Sequence, residues 1–124
     1  AGELGSRLPA AAGTRGAVEL TGRLLRLKEP RRWAALAGAV FAAAPADPAA
    51  AALVRRAGVS LAGLVDVVQG RLGGDGPVVL AGGLLLNQPL LEAAVRERLA
   101  GEVVRLAEPP VAGAVRLALA LAAL

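Results

Sequence analysis

Residues 76–99 read GPVVLAGGLLLNQPLLEAAVRERL, and the fold class turns on this stretch. Val78-Val79-Leu80-Ala81 is a short apolar run bounded by turn residues, the pattern of a fully buried strand. Gly82-Gly83 ends it. After a brief apolar link, Asn87-Gln88-Pro89 opens a segment with helical spacing. Leu90, Leu91, Ala94, Val95 and Leu99 share one face, and Glu92, Arg96 and Arg98 the other. Strand, glycine pair and helix start form a local arrangement by which many folds bring backbone N–H groups against a nucleotide.

Downstream of this stretch, Gly101 is a good C-terminal helix stop and residues 103–106 read as a second short strand. Glu108-Pro109-Pro110 breaks the chain before a helix over 111–123, strongly apolar and expected to be buried. Gly113 there suggests close helix packing. The second half is thus a β-α-β-α unit whose crossover has the length that a right-handed parallel pair requires.

Upstream lies the longest predicted helix, 48–72. Asp47 is placed as its N-cap and Pro48 at its first position, while Gly73-Gly74-Asp75-Gly76 forms the turn into the strand. Its apolar positions include Leu53, Val54, Ala57, Leu61, Leu64, Val65, Val68 and Leu72, with Arg55, Arg56, Asp66 and Arg71 solvated. Gly58 and Gly63 each cost about 1 kcal/mol of helix stability against Ala unless another helix packs closely there. A helix over 31–44 carries Trp33, Leu36, Ala37, Val40 and Phe41 on one stripe, the two aromatic rings filling the core, and Pro45 closes it. A shorter helix over 18–27 pairs Glu19 with Arg23 before Lys28-Glu29-Pro30 interrupts it. Residues 1–16, rich in Gly and Ala with Pro9 among them, read as loop, leaving 17–124 as the domain.

A chain of 124 residues suits one domain. It is 56% apolar but has one Trp, one Phe, no Tyr and no Met, so its core is built from Ala, Leu and Val. The formal charge of +4 comes almost wholly from arginine, with Lys28 the only lysine. These arginines are spread along the chain, with tight pairs only at Arg31-Arg32 and Arg55-Arg56. Few aromatic residues are present to stack bases, which argues against nucleic acid as a partner. Without cysteine there is no disulfide, thiolate metal site or iron–sulfur cluster, and without histidine the usual general base and zinc ligand are absent. A cytoplasmic location fits the lack of disulfides. The final apolar run, 111–124, is shorter than the roughly 20 residues a membrane span needs, and Arg116 interrupts it. A sequence with no methionine is expected to be a processed or excised piece.

The side chains alone offer no catalytic pair. Ser6, Ser60, Thr14 and Thr21 are the only hydroxyls, no histidine can activate them, and the carboxylates are scattered. No catalytic or metal-ligating residue is assigned.

The order of strand, Gly82-Gly83, three residues, Asn87 and helix resembles the adenosine motif of the sugar kinase, actin and chaperone ATPase superfamily. Within it, the chain is most similar to the BadF/BadG-type ATPase and N-acetylglucosamine kinase-like family. Residues 36–44 followed by Asp47-Pro48 resemble that family's helix–DP–helix passage. The long helix before the VVLAGG strand stands in the expected place, and Pro109-Pro110-Val111-Ala112-Gly113-Ala114 looks like its closing PP-x-x-GA segment. The resemblance runs over 33–119 and implies an α/β, ribonuclease-H-like C-terminal lobe, with ATP held in a cleft between two lobes. By it, Gly82 and Gly83 let backbone approach the adenosine and α-phosphate. Leu84 would lie beside the nucleotide and Asn87 would offer its amide to adenine or ribose.

The superfamily's DxGxT phosphate loop, second phosphate loop and acidic base or magnesium partner are not in these 124 residues. The resemblance therefore implies only the adenosine side of a kinase, with an N-terminal lobe as partner and magnesium bound through that lobe. Lack of cluster-binding cysteines favours the kinase branch, an N-acetylglucosamine-like sugar being the expected acceptor. The alternative is a non-enzymatic helical and βαβ interaction module. Either way an exposed apolar patch or self-association is expected.

Overall fold

The computed structural model describes residues 2–26, 28–74 and 76–124. Leu27, expected in the second helix, and Asp75, expected in the glycine turn, lie outside the described residues. The chain is helix-rich with one two-stranded parallel sheet, an arrangement compatible with the α/β class.

The first departure from expectation is at the start. Residues read as loop form α1 (Glu3–Ala11), with Pro9 inside it. A carboxylate 43 positions away secures its first turn: Asp47 accepts the Leu4 N–H at 2.8 Å. Glu3 and Arg7 pair one turn apart along the helix. Pro9 cannot donate to the Gly5 carbonyl, but Gly5 is exposed, and Pro9 is itself buried. Its carbonyl accepts both the N–H and the hydroxyl of Thr14, which closes the turn at Gly13.

α2 (Ala17–Arg26) buries Leu20, while Val18 and Leu25 are exposed. Glu19 is turned to the Arg15 N–H, at 3.0 Å, and not to Arg23 as its spacing suggested. The helix expected over 31–44 is two, α3 (Pro30–Ala34) and α4 (Ala37–Ala43), separated at Ala35-Leu36. The break sends α4 against α1, so Ala43 is fully buried and Val40 and Phe41 pack on the core. It also leaves Trp33 47% exposed, so this ring does not fill the core as expected.

α5 (Pro48–Leu72) has the expected bounds. Asp47 caps it by accepting the Ala49 and Ala50 N–H groups at 2.8 and 3.3 Å, and Gly73 ends it at φ +66°. At about 1.5 Å per residue it is about 37 Å long. Its buried residues are Ala50, Val54, Gly58 and Ala62, a stripe of mostly small side chains at four-residue intervals. Leu53, Leu61, Leu64, Val68 and Leu72 from the expected apolar face are exposed, Leu72 by 78%.

β1 (Val78–Leu80) and β2 (Val103–Arg105) pair in parallel, with Val78 opposite Val103, Val79 opposite Val104 and Leu80 opposite Arg105. Between them run α6 (Gly83–Asn87) and α7 (Pro89–Arg96). The link expected after the glycines is thus itself a helical turn. β1 is not fully buried: Leu80 is, but Val79 is 52% exposed, because a sheet of two strands leaves one face uncovered. α7 buries Leu91, Ala94 and Val95 as its periodicity predicts. The core gathers Leu4, Ala43, Ala44, Ala50, Val54, Leu80, Leu91 and Val95 from α1, α4, α5, β1 and α7, with Ala44 capping the end of α4.

α8 (Pro110–Ala122) corrects another expectation. None of its residues is buried, and Val111, Val115, Leu117, Leu119 and Leu121 all face solvent. A side chain added at Gly113 would meet no atom within 4 Å, so close helix packing does not account for that glycine. No helix among the described residues is long and apolar enough to cross a membrane.

Candidate functional site

The carboxyl end of β1 holds the four residues singled out from the sequence. Gly82 has φ +97° and ψ 139°, a conformation closed to side chains with a Cβ, so the chain can leave the strand and enter α6 only through glycine. Gly83 differs. Its backbone is helical, and a Cβ there would come no closer to any atom than 3.9 Å from Asn87 Nδ2. The fold requires the first glycine and leaves the space over the second open.

Asn87 ends α6 and does not begin the next helix, whose N-cap is Gln88 with Pro89 in its first turn. The Asn87 amide donates to the Gly83 carbonyl at 2.7 Å, one turn back, so this donor stabilises the loop rather than facing outward. Leu84 is exposed at the mouth of an apolar cleft of about 530 Å³. Val40 and Phe41 of α4, Leu53, Ala57 and Leu61 of α5 and Leu91 of α7 line it, and its walls are apolar. The volume falls within the range of small-molecule pockets, about 300–1,000 Å³. Gly82, Gly83 and Asn87 do not line this cleft, whereas Leu84 does. From the sequence, Val40 and Phe41 read as core stripe, and nothing local joins them to Leu84.

Behind the strand ends lies a polar brace that spacing alone does not announce. The Glu92 carboxylate on α7 is bonded to Arg96 at 2.9 Å and lies 3.5 Å from Arg105 at the end of β2. Arg96 also donates to the Val103 carbonyl at 3.0 Å, and Arg105 to the Leu86 carbonyl at 2.7 Å. α6, α7 and β2 are therefore held in one arrangement, and the glycine turn has a fixed frame. The sequence places Glu92 and Arg96 on one polar face, four residues apart; the tie to Arg105 depends on the parallel register.

Among the described residues, the displaced titration is that of Asp47. The Leu4 N–H first, then those of Ala50 and Ala49, hold its carboxyl below the ordinary carboxylate range against the opposing effect of burial. These partners are all backbone donors, so Asp47 is a double helix cap and not a general base. Among the described residues no group of three or more His, Cys, Asp or Glu side chains could hold a metal ion. What the arrangement offers is a glycine turn at the strand end and an apolar cleft beside Leu84. No family model, curated protein or solved structure matches this chain.

Proposed function

We propose that this chain is the C-terminal, adenosine-side lobe of an ATP-dependent sugar kinase of ribonuclease-H-like fold, with an N-acetylglucosamine-like acceptor. The observation that carries the reading is the turn at Gly82-Gly83. It lies at the carboxyl end of a parallel strand, the edge where ligands of such sheets bind, and Gly83 leaves open space that its backbone does not require. A nucleoside would approach across Gly82 and Gly83, with Leu84 and the neighbouring apolar cleft beside its base and Asn87 keeping the turn in shape. The γ-phosphate, its magnesium and the sugar are assigned to an N-terminal lobe, because phosphoryl transfer depends on groups positioned around that phosphate.

The surface supports a partner lobe. A folded monomer of 12.3 kDa exposes about 6,100 Å², whereas this chain exposes 8781 Å². The difference of roughly 2,700 Å² is about three times what one partner contributes to a standard protein interface. The same surface also favours the alternative, an interaction module without nucleotide, and one titration separates the two. Adenosine and ADP are added to isotopically labelled chain and followed by NMR. Saturable shifts at Gly82, Gly83 and Leu84, weakened about tenfold (about 1.4 kcal/mol) in a folded Gly83→Val variant, are expected of the nucleotide lobe. Absence of saturable shifts at those residues would refute it and leave the interaction module.

A further inference from the structure

A second cavity, of about 390 Å³, lies on another face of α5. It is lined by Ala52, Arg55, Arg56, Val59 and Ser60 of that helix and by Arg98 from the turn after α7. Five guanidinium groups meet carboxylates: Arg7 with Glu3, Arg32 with Glu29, Arg96 and Arg105 with Glu92, and Arg116 with Glu108, whereas Arg15, Arg23, Arg26, Arg31 and Arg71 form no ion pair among the described residues. Arg55, Arg56 and Arg98 have no such partner among the described residues. Three like charges around one concavity, with no carboxylate bonded to them, bias the local potential towards anions.

We propose that this cavity binds a small phosphoryl-bearing anion. A guanidinium presents two parallel donors to an oxyanion, and pairs of this kind are the stronger class of hydrogen bond. Three of them drawn from two elements can hold one phosphoryl group from different sides, with Ser60 as a further donor and Ala52 and Val59 as an apolar floor. The proposal does not rest on the nucleotide reading, since neither Gly82, Gly83 nor Leu84 lines this cavity. Arg55 and Arg56 read from the sequence as solvated helix charges and both are exposed, while Arg98 joins them because α7 crosses α5 at Gly58.

Calorimetric titration with sodium pyrophosphate at low ionic strength tests it. The expected result is saturable binding, weakened about tenfold or more in each of the folded variants Arg98→Gln and Arg55→Gln and unchanged in Arg71→Gln, which lies on the same helix outside the cavity. Gly83→Val should leave pyrophosphate binding intact, and Arg98→Gln should leave any adenosine response intact, so the two proposals fail separately. Should the arginine variants not fold, NMR shifts of the wild-type chain on adding pyrophosphate must centre on Ala52, Val59 and Ser60. Vesicles of phosphatidylcholine with added phosphatidic acid distinguish a lipid headgroup, which would compete with pyrophosphate, from a free anion, which would show no vesicle binding. Absence of saturation, or equal binding by the arginine variants, would overturn the site. So would a much tighter, steeply salt-dependent affinity for an oligonucleotide that Arg71→Gln weakens as much as Arg98→Gln.

Discussion

Replacing Gly58 by alanine should destabilise the protein although alanine is the better helix former. The Cβ of an added side chain would stand 2.6 Å from the Ala94 Cβ, 2.8 Å from its carbonyl carbon and 2.9 Å from its carbonyl oxygen. Two of those three atoms are backbone, so no rotamer change relieves the overlap. Ordinary carbon–carbon contact is about 3.5–4.0 Å, so α5 and α7 must separate by roughly 1 Å. That movement loosens the layer holding Val54, Leu91 and Val95. Helix propensity returns about 1 kcal/mol for Gly→Ala, whereas overpacking costs about 1–3 kcal/mol before the lost contacts are counted. The net expectation is a loss of about 2 kcal/mol.

Gly63, five residues on in the same helix, supplies the control. A Cβ there meets nothing within 4 Å, so Gly63→Ala should stabilise by about 0.5–1 kcal/mol. The two variants should shift a urea melt in opposite directions. Adding Ala94→Gly to Gly58→Ala removes the shortest contact but not the backbone ones, so rescue should be partial. A neutral or stabilising Gly58→Ala, or a destabilising Gly63→Ala, would refute the close-crossing account.

Three further outcomes are expected. Gly82→Ala should cost about 1–3 kcal/mol in denaturant melts, because of its φ of +97°, while Gly83→Ala should be nearly neutral; equal costs would contradict the division of roles within the pair. The lowered pKa of Asp47 means that the unfolded state takes up its proton first as pH falls. Its stabilisation is therefore complete above the unfolded value near 3.8 and lost as pH drops through the lower folded value. The stability gap between wild type and Asp47→Asn should accordingly narrow in acid thermal melts, and a gap constant with pH would contradict the capping role. Finally, Leu117→Glu on the exposed face of α8 should change stability by no more than about 0.5 kcal/mol. It should reduce concentration-dependent association in sedimentation, and a wild-type chain monomeric at all concentrations would count against a docking role for this surface.

What the sequence determined by itself is local. Asp47 with Pro48 begins α5 and Gly73 ends it, because each terminus is satisfied by a side chain or a left-handed glycine within a few residues. Gly82 marks its turn for the same reason, Gly101 takes the left-handed conformation although α7 already ends at Arg96, and the valine pairs at 78–79 and 103–104 announce strands. What lies between distant residues was decided by the tertiary structure. α1 has a secured first turn because a carboxylate 43 residues away accepts the Leu4 N–H, a bond that composition at residues 1–16 cannot express. The buried side of α5 is the small-residue stripe and not the richer leucine face, because only Gly58 and its neighbours let α7 approach so closely. Hydrophobicity shows which residues gain by leaving water, but burial also needs a surface that fits. Around Gly82-Gly83 the division is the same: the turn was legible, while the cleft beside Leu84 and the brace through Arg105 exist only once α4, α5 and β2 have been brought alongside it.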